Sequence, residues 1–125
     1  MIATSIEQSK RLIELGLNPD SSDMCYCIDY KESNLLGKDV YNLQIDTYKT
    51  LWSKPDNIPA WSLSALLAVM PMTCDIIKGY DNSYYCSNKF NENPIENWHL
   101  TTSCKNPIEA AVEMVVWLIG NHYIC

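Results

Sequence analysis

The sequence predicts an α+β domain: an antiparallel sheet of three to five strands with about three helices, two of them packed on one face. Three observations carry this. Asn106–Ile119 is almost wholly apolar and opens on a helix start signal. A one-sided apolar stripe follows Ser62. Between and before these lie short β-favouring runs, separated by Gly, Asn, Asp and Pro.

The C-terminal helix is the clearest element. Asn106 suits the N-cap, Pro107 the first helical position, and Glu109 completes a capping-box variant. Only Glu109 and Glu113 interrupt the apolar body, so this helix must be covered on most sides. It should end near Gly120 or Asn121, with Tyr123-Ile124-Cys125 packing back.

From the start, Thr4–Leu15 reads as a helix with Thr4…Glu7 as its capping box. Gly16 fits a left-handed terminator, and Leu17 can close on Leu12. Asn18–Asp23 is a turn. Met24–Tyr30 reads as a strand, with Met24, Tyr26 and Ile28 on one face and Cys25, Cys27 and Asp29 on the other. Lys31–Asp39 is polar and reads as loop. Val40–Leu51 alternates in part and reads as a second strand, and Trp52–Pro59 as a connection.

Ser62 caps the next helix, with Trp61 stapled to Leu66. Its stripe is Leu63, Leu66, Leu67 and Met70, and Pro71 stops it. Thr73–Lys78 and Tyr84–Phe90 form a hairpin, with Gly79 and Asp81-Asn82-Ser83 as turn residues. Asn91–Pro94 is a further turn. Glu96–Thr101 is a last strand, with Trp98 and Leu100 on one face and His99 on the other.

A chain of 125 residues fits one domain, 1–125, and can bury a core without metal or disulfide. Its 47% apolar content excludes wholesale disorder. The net charge of −6 and pI of about 4.7 argue against a nucleic-acid or anionic-membrane partner, which would call for Lys and Arg. Met1–Gly16 carries Glu7, Lys10, Arg11 and Glu14, so no signal peptide is expected there. The apolar run Met114–Ile119 is far short of the ~20 residues of a membrane span. A cytoplasmic chain with reduced cysteines is expected.

Three segments resemble a known group. Thr4–Tyr26 (Ser-Ile-Glu-Gln-Ser-Lys…Gly-Leu-Asn-Pro…Asp-Met-Cys-Tyr), Ile58–Pro71 (with Trp-Ser-Leu-Ser-Ala-Leu-Leu) and Asn106–Ile124 (with Asn-Pro-Ile-Glu-Ala-Ala-Val-Glu-Met) are similar to short uncharacterised proteins from gut bacteria and their phages or mobile elements. The match covers a little under half the chain and leaves out Ile28–Asn57. It implies a mobile-element origin and supplies no catalytic residue.

No constellation announces catalysis. Cys25-x-Cys27 lacks zinc-knuckle spacing, and no Cys-x-x-Cys occurs, so neither metal nor cofactor is expected. Cys25, Cys86 and Cys104 read as small buried hydrophobes. Neither His99 nor His122 has a neighbouring nucleophile motif, so packing or surface roles are expected of both. Asp20, Asp23 and Asp29 match no calcium loop and read as caps and turns. Glu109 and Glu113 lack the Glu-x-x-His of di-metal bundles and read as a wet edge.

The hairpin region is the most suggestive. Tyr80, Tyr84, Tyr85, Phe90 and Trp98 crowd beside Asn82, Ser83, Asn88, Asn91 and Asn93. Tyrosine mixed with Ser and Asn is the composition of adaptable recognition surfaces. The expected function is therefore that of a small binding protein without catalysis. Its candidate contact residues are Tyr80, Asn82, Tyr84, Tyr85, Trp98 and His99, and its expected partner is a protein. A small enzyme or ligand-binding domain, with a site assembled only in three dimensions, is the alternative. An acidic mimic-type inhibitor is a third.

Overall fold

A computed structural model describes residues 2–89 and 99–124. Among them the chain forms four α-helices and two three-stranded antiparallel sheets, an α+β fold. The strands are thus shared between two sheets. The turn expected at Asn91–Pro94, with Phe90, Trp98 and Cys125, lies outside the described residues.

The first half builds one sheet. Helix α1, Ile6–Glu14, starts one residue later than Thr4…Glu7 suggests. Ser5 is the cap: its hydroxyl accepts the Gln8 N–H at 3.1 Å, and Gln8 Oε1 accepts the Ser5 N–H at 2.9 Å. Thr4 is instead buried and tied across the chain, donating its N–H to the Trp61 carbonyl at 2.8 Å. The C-terminal end is as expected. Gly16 has φ +102°, and Leu17 N–H reaches the Leu12 carbonyl at 3.0 Å, closing a Schellman motif.

Strand β1, Met24–Ile28, lies between β2, Tyr41–Ile45, and β3, Ile58–Ala60. The register pairs Tyr26 with Leu43 on one side and with Ile58 on the other. Two sequence expectations are corrected here. Lys31–Asp39 is not all loop: α2 spans Tyr30–Leu36, because Asp29 caps the Glu32 N–H at 3.0 Å and Gly37 terminates it at φ +67°. Trp52–Pro59 is not only a connection, since Ile58 and Pro59 belong to β3. The strand expected over Val40–Leu51 stops at Ile45, where the buried Asp46 turns the chain.

The second half builds the main core. Helix α3, Leu63–Val69, is capped by Ser62, whose hydroxyl accepts the Ala65 N–H at 3.2 Å. Trp61 and Leu66 are both fully buried, as a staple requires. The stripe is shifted, however: Leu67 is exposed, and Ala65, Leu66 and Met70 form the buried face. Strands β4, Cys74–Lys78, and β5, Tyr84–Asn88, make the expected hairpin, and β6, His99–Leu100, pairs on β5. Helix α4, Pro107–Gly120, packs against α3, β5 and β4. Its left-handed terminator is His122, at φ +61°, rather than Gly120 or Asn121. Tyr123 N–H then reaches the Leu118 carbonyl at 2.9 Å, so the His122 backbone ends the helix.

Candidate functional site

The hairpin turn positions the site. Gly79 N–H donates to the Ser83 carbonyl at 2.7 Å, Asn82 adopts φ +62°, and Ser83 N–H donates to Asp81 Oδ1 at 3.1 Å. A Cβ on Gly79 would stand 2.8 Å from Tyr85 Cε2. A larger residue there would have to push the Tyr85 ring aside.

Alternation along the strands then decides which residues face where. Register places Ile77 opposite Tyr85 and Leu100 opposite Ser87. These four, with Asp75, share the face opposite α4, on which Ser87 is fully buried while Ile77 and Leu100 are exposed. Tyr84 and Cys86 point the other way, with Ile76 and Cys74, into the core that contains α4. On the outer face, Ile77, Lys78, Gly79, Tyr80, Tyr85 and Leu100 line an open concavity of about 590 Å³. Leu100 is 55% exposed, Ile77 40%, and Tyr80 is fully exposed. Asp75 and Lys89 form an ion pair at 3.0 Å beside it.

The sequence-predicted residues are therefore divided. Tyr80 and Tyr85 meet in the concavity, and Asn82 stands exposed at its tip. Tyr84 faces inward and packs on the core. Trp98 lies outside the described residues. His99 is on the opposite side of β6, where its ring stacks on Trp117 of α4 at 3.8 Å and 9°. Ile77 and Leu100 were not singled out by sequence. Their signal was position: apolar residues in register with Tyr85 and Ser87.

Behind β6 is a second hollow of about 370 Å³, lined by Arg11, His99, Thr101, Thr102, Glu113, Val116 and Trp117, with Leu100 at its rim. Glu113 accepts the Thr102 hydroxyl at 2.9 Å. Burial holds His99 below its ordinary pKa of 6.5, so its ring is neutral near pH 7. Tyr123 stacks on Trp117 as well, at 5.5 Å. Arginine, glutamate, hydroxyls and an indole thus meet at one place, drawn from α1, β6 and α4.

Three of the thiols are held protonated by burial. Burial pushes Cys25 up to about 12, assisted by neighbouring Cys27 and Asp46. Burial also pushes Cys86 to about 12 and Cys74 to about 11. A thiol this protonated is a poor nucleophile at neutral pH. Among the described residues no three His, Cys, Asp or Glu side chains gather as a metal site. Asp29 caps α2 through the Glu32 N–H, whereas Asp23 caps no helix itself and accepts the N–H of Ser62, the cap of α3. No helix of the described residues is long and apolar enough to cross a membrane.

No family model matches the chain, and neither a curated protein nor a solved structure does.

Proposed function

We propose that the chain is a small non-catalytic binding protein, of phage or mobile-element origin, that receives a partner protein on the outer face of β4–β5–β6. The observation that carries this is the apolar concavity itself. An antiparallel sheet with one face on the core ordinarily presents polar residues on the other. Here Ile77, Tyr80, Tyr85 and Leu100 are presented instead, and polar turn residues rim them. An aromatic anchor region inside a polar rim is the usual anatomy of an interface. The concavity suits one or two apolar side chains of a partner segment.

The test is affinity capture with Tyr80→Ser/Leu100→Lys beside the wild-type chain. Both positions are exposed, so melting should be unchanged. The reading expects a partner held by the wild type and lost by the variant. A partner retained equally by both would sink it.

The hollow behind β6 supports a second reading, a small dipolar ligand. Arg11 would meet its anionic end and Glu113 its cationic end, with the Trp117 ring beside them. Chemical shifts of the His99 and Trp117 rings, followed during titration with free amino acids, separate the two readings.

A further inference from the structure

We propose that β2 is the seam of a two-fold homodimer, formed by antiparallel pairing of Tyr41–Ile45 with the same strand of a second copy. The argument begins with which backbone groups are free. Asp29 N–H donates to the Val40 carbonyl, and Asp46 N–H to the Asp23 carbonyl. These bonds bracket the β1–β2 register and turn residues 40, 42, 44 and 46 toward β1. Tyr41, Leu43 and Ile45 therefore direct their N–H and C=O groups to the open edge.

That edge is unguarded. Natural edges carry charges, proline or a bulge, are very short, or are covered. Strand β3 carries Pro59, and the chain just beyond it is covered by Thr4 bonding to Trp61. Strand β4 carries Asp75 and Lys78, and β6 has two residues. Strand β2 reads Tyr-Asn-Leu-Gln-Ile, with no charge and no proline. Its outward-bonding residues also share one side-chain face, and Ile45 there is 71% exposed. Leu35 and Leu36, just upstream, are exposed as well.

Identical strands paired antiparallel satisfy two-fold symmetry automatically. The register follows: Leu43 lies on the axis opposite its own copy, and Tyr41 faces Ile45 of the second copy. All the outward N–H and C=O groups are then paired, and an aromatic meets a β-branched residue on each side of the axis. Both hairpin concavities stay free, which would make the dimer bivalent for its partner.

Light scattering and sedimentation across a wide concentration range test the pairing. The wild type should rise toward twice the chain mass, and Ile45→Lys should weaken association by roughly tenfold or more. Leu43→Cys should cross-link to its own copy on mild oxidation. Gln44→Cys should not, because in this register the two Gln44 Cα atoms stand beyond the ~7 Å a disulfide can span. A mass that stays monomeric, a dimer indifferent to Ile45→Lys, or equal cross-linking by the two cysteine variants would overturn the proposal.

Discussion

The Asp23 carboxylate holds both polar groups of Ser62: one oxygen accepts the Ser62 N–H at 2.8 Å and the other accepts its hydroxyl. Ser62 in turn caps α3 by accepting the Ala65 N–H. The residue just before β1 thus orients the cap of a helix that lies far along the chain. Asp23→Ala should cost about 2 kcal/mol, since it removes two bonds to a charged group. Ser62→Ala should cost about 1 kcal/mol as a lost cap. Urea unfolding of the double variant should show coupling of at least ~0.5 kcal/mol. Simple additivity would mean that the two residues act independently.

The contact of α3 with α4 yields a second expectation. Leu66 and Leu118 are both fully buried in the shared core. Each leucine-to-alanine change should cost about 2–5 kcal/mol. Because α3 packs on α4, the losses should be non-additive. Double-variant denaturation that sums within ~0.3 kcal/mol would deny the coupling.

What the sequence made legible was local. Asn106, Ser62 and Gly16 act through neighbours within a few residues, so their caps and terminators could be read directly. The cap of α1 slipped by one because Thr4 and Ser5 compete for the same role, and the distant Trp61 claims Thr4. Helix α2 was missed because Tyr30–Leu36 has no apolar stripe, although Asp29, Glu32 and Gly37 spelled its ends. The division into two sheets depends on pairings between distant segments, such as Cys25 with Pro59. For the candidate site, alternation separates Tyr84 from Tyr85. Only the placement of α4 tells which of them faces out.

Asp46 organises the chain between β2 and β3. It is buried, and its carboxylate accepts the N–H groups of Thr50, Leu51 and Trp52 at 3.0, 3.1 and 3.3 Å. Asp46→Ala would leave three amides to find other partners, at a cost of about 3 kcal/mol. Asp46→Asn keeps one accepting oxygen and should cost less. Hydrogen exchange checks the mechanism: the amides of 50, 51 and 52 should lose protection before those of β1. Uniform loss across the first sheet would argue that Asp46 acts on the sheet as a whole.

The stack of His99 on Trp117 makes a pH prediction whose sign is fixed by burial. Desolvation lowers the His99 pKa below 6.5, so the folded chain prefers the neutral ring. Arg11 and Glu113 line the same hollow with opposite charges. On acidification the unfolded chain takes up the proton first, near 6.5. The stability this group contributes is therefore complete above that value. It is lost as pH falls toward the lowered folded pKa, and levels off below it. His99→Phe keeps an aromatic ring on Trp117 but cannot titrate. The urea midpoint of the wild type should fall more than that of His99→Phe between about pH 8 and about pH 5. Ring-proton shifts of His99 give the direct check, and a titration at or above the ordinary value would show that burial does not govern this ring.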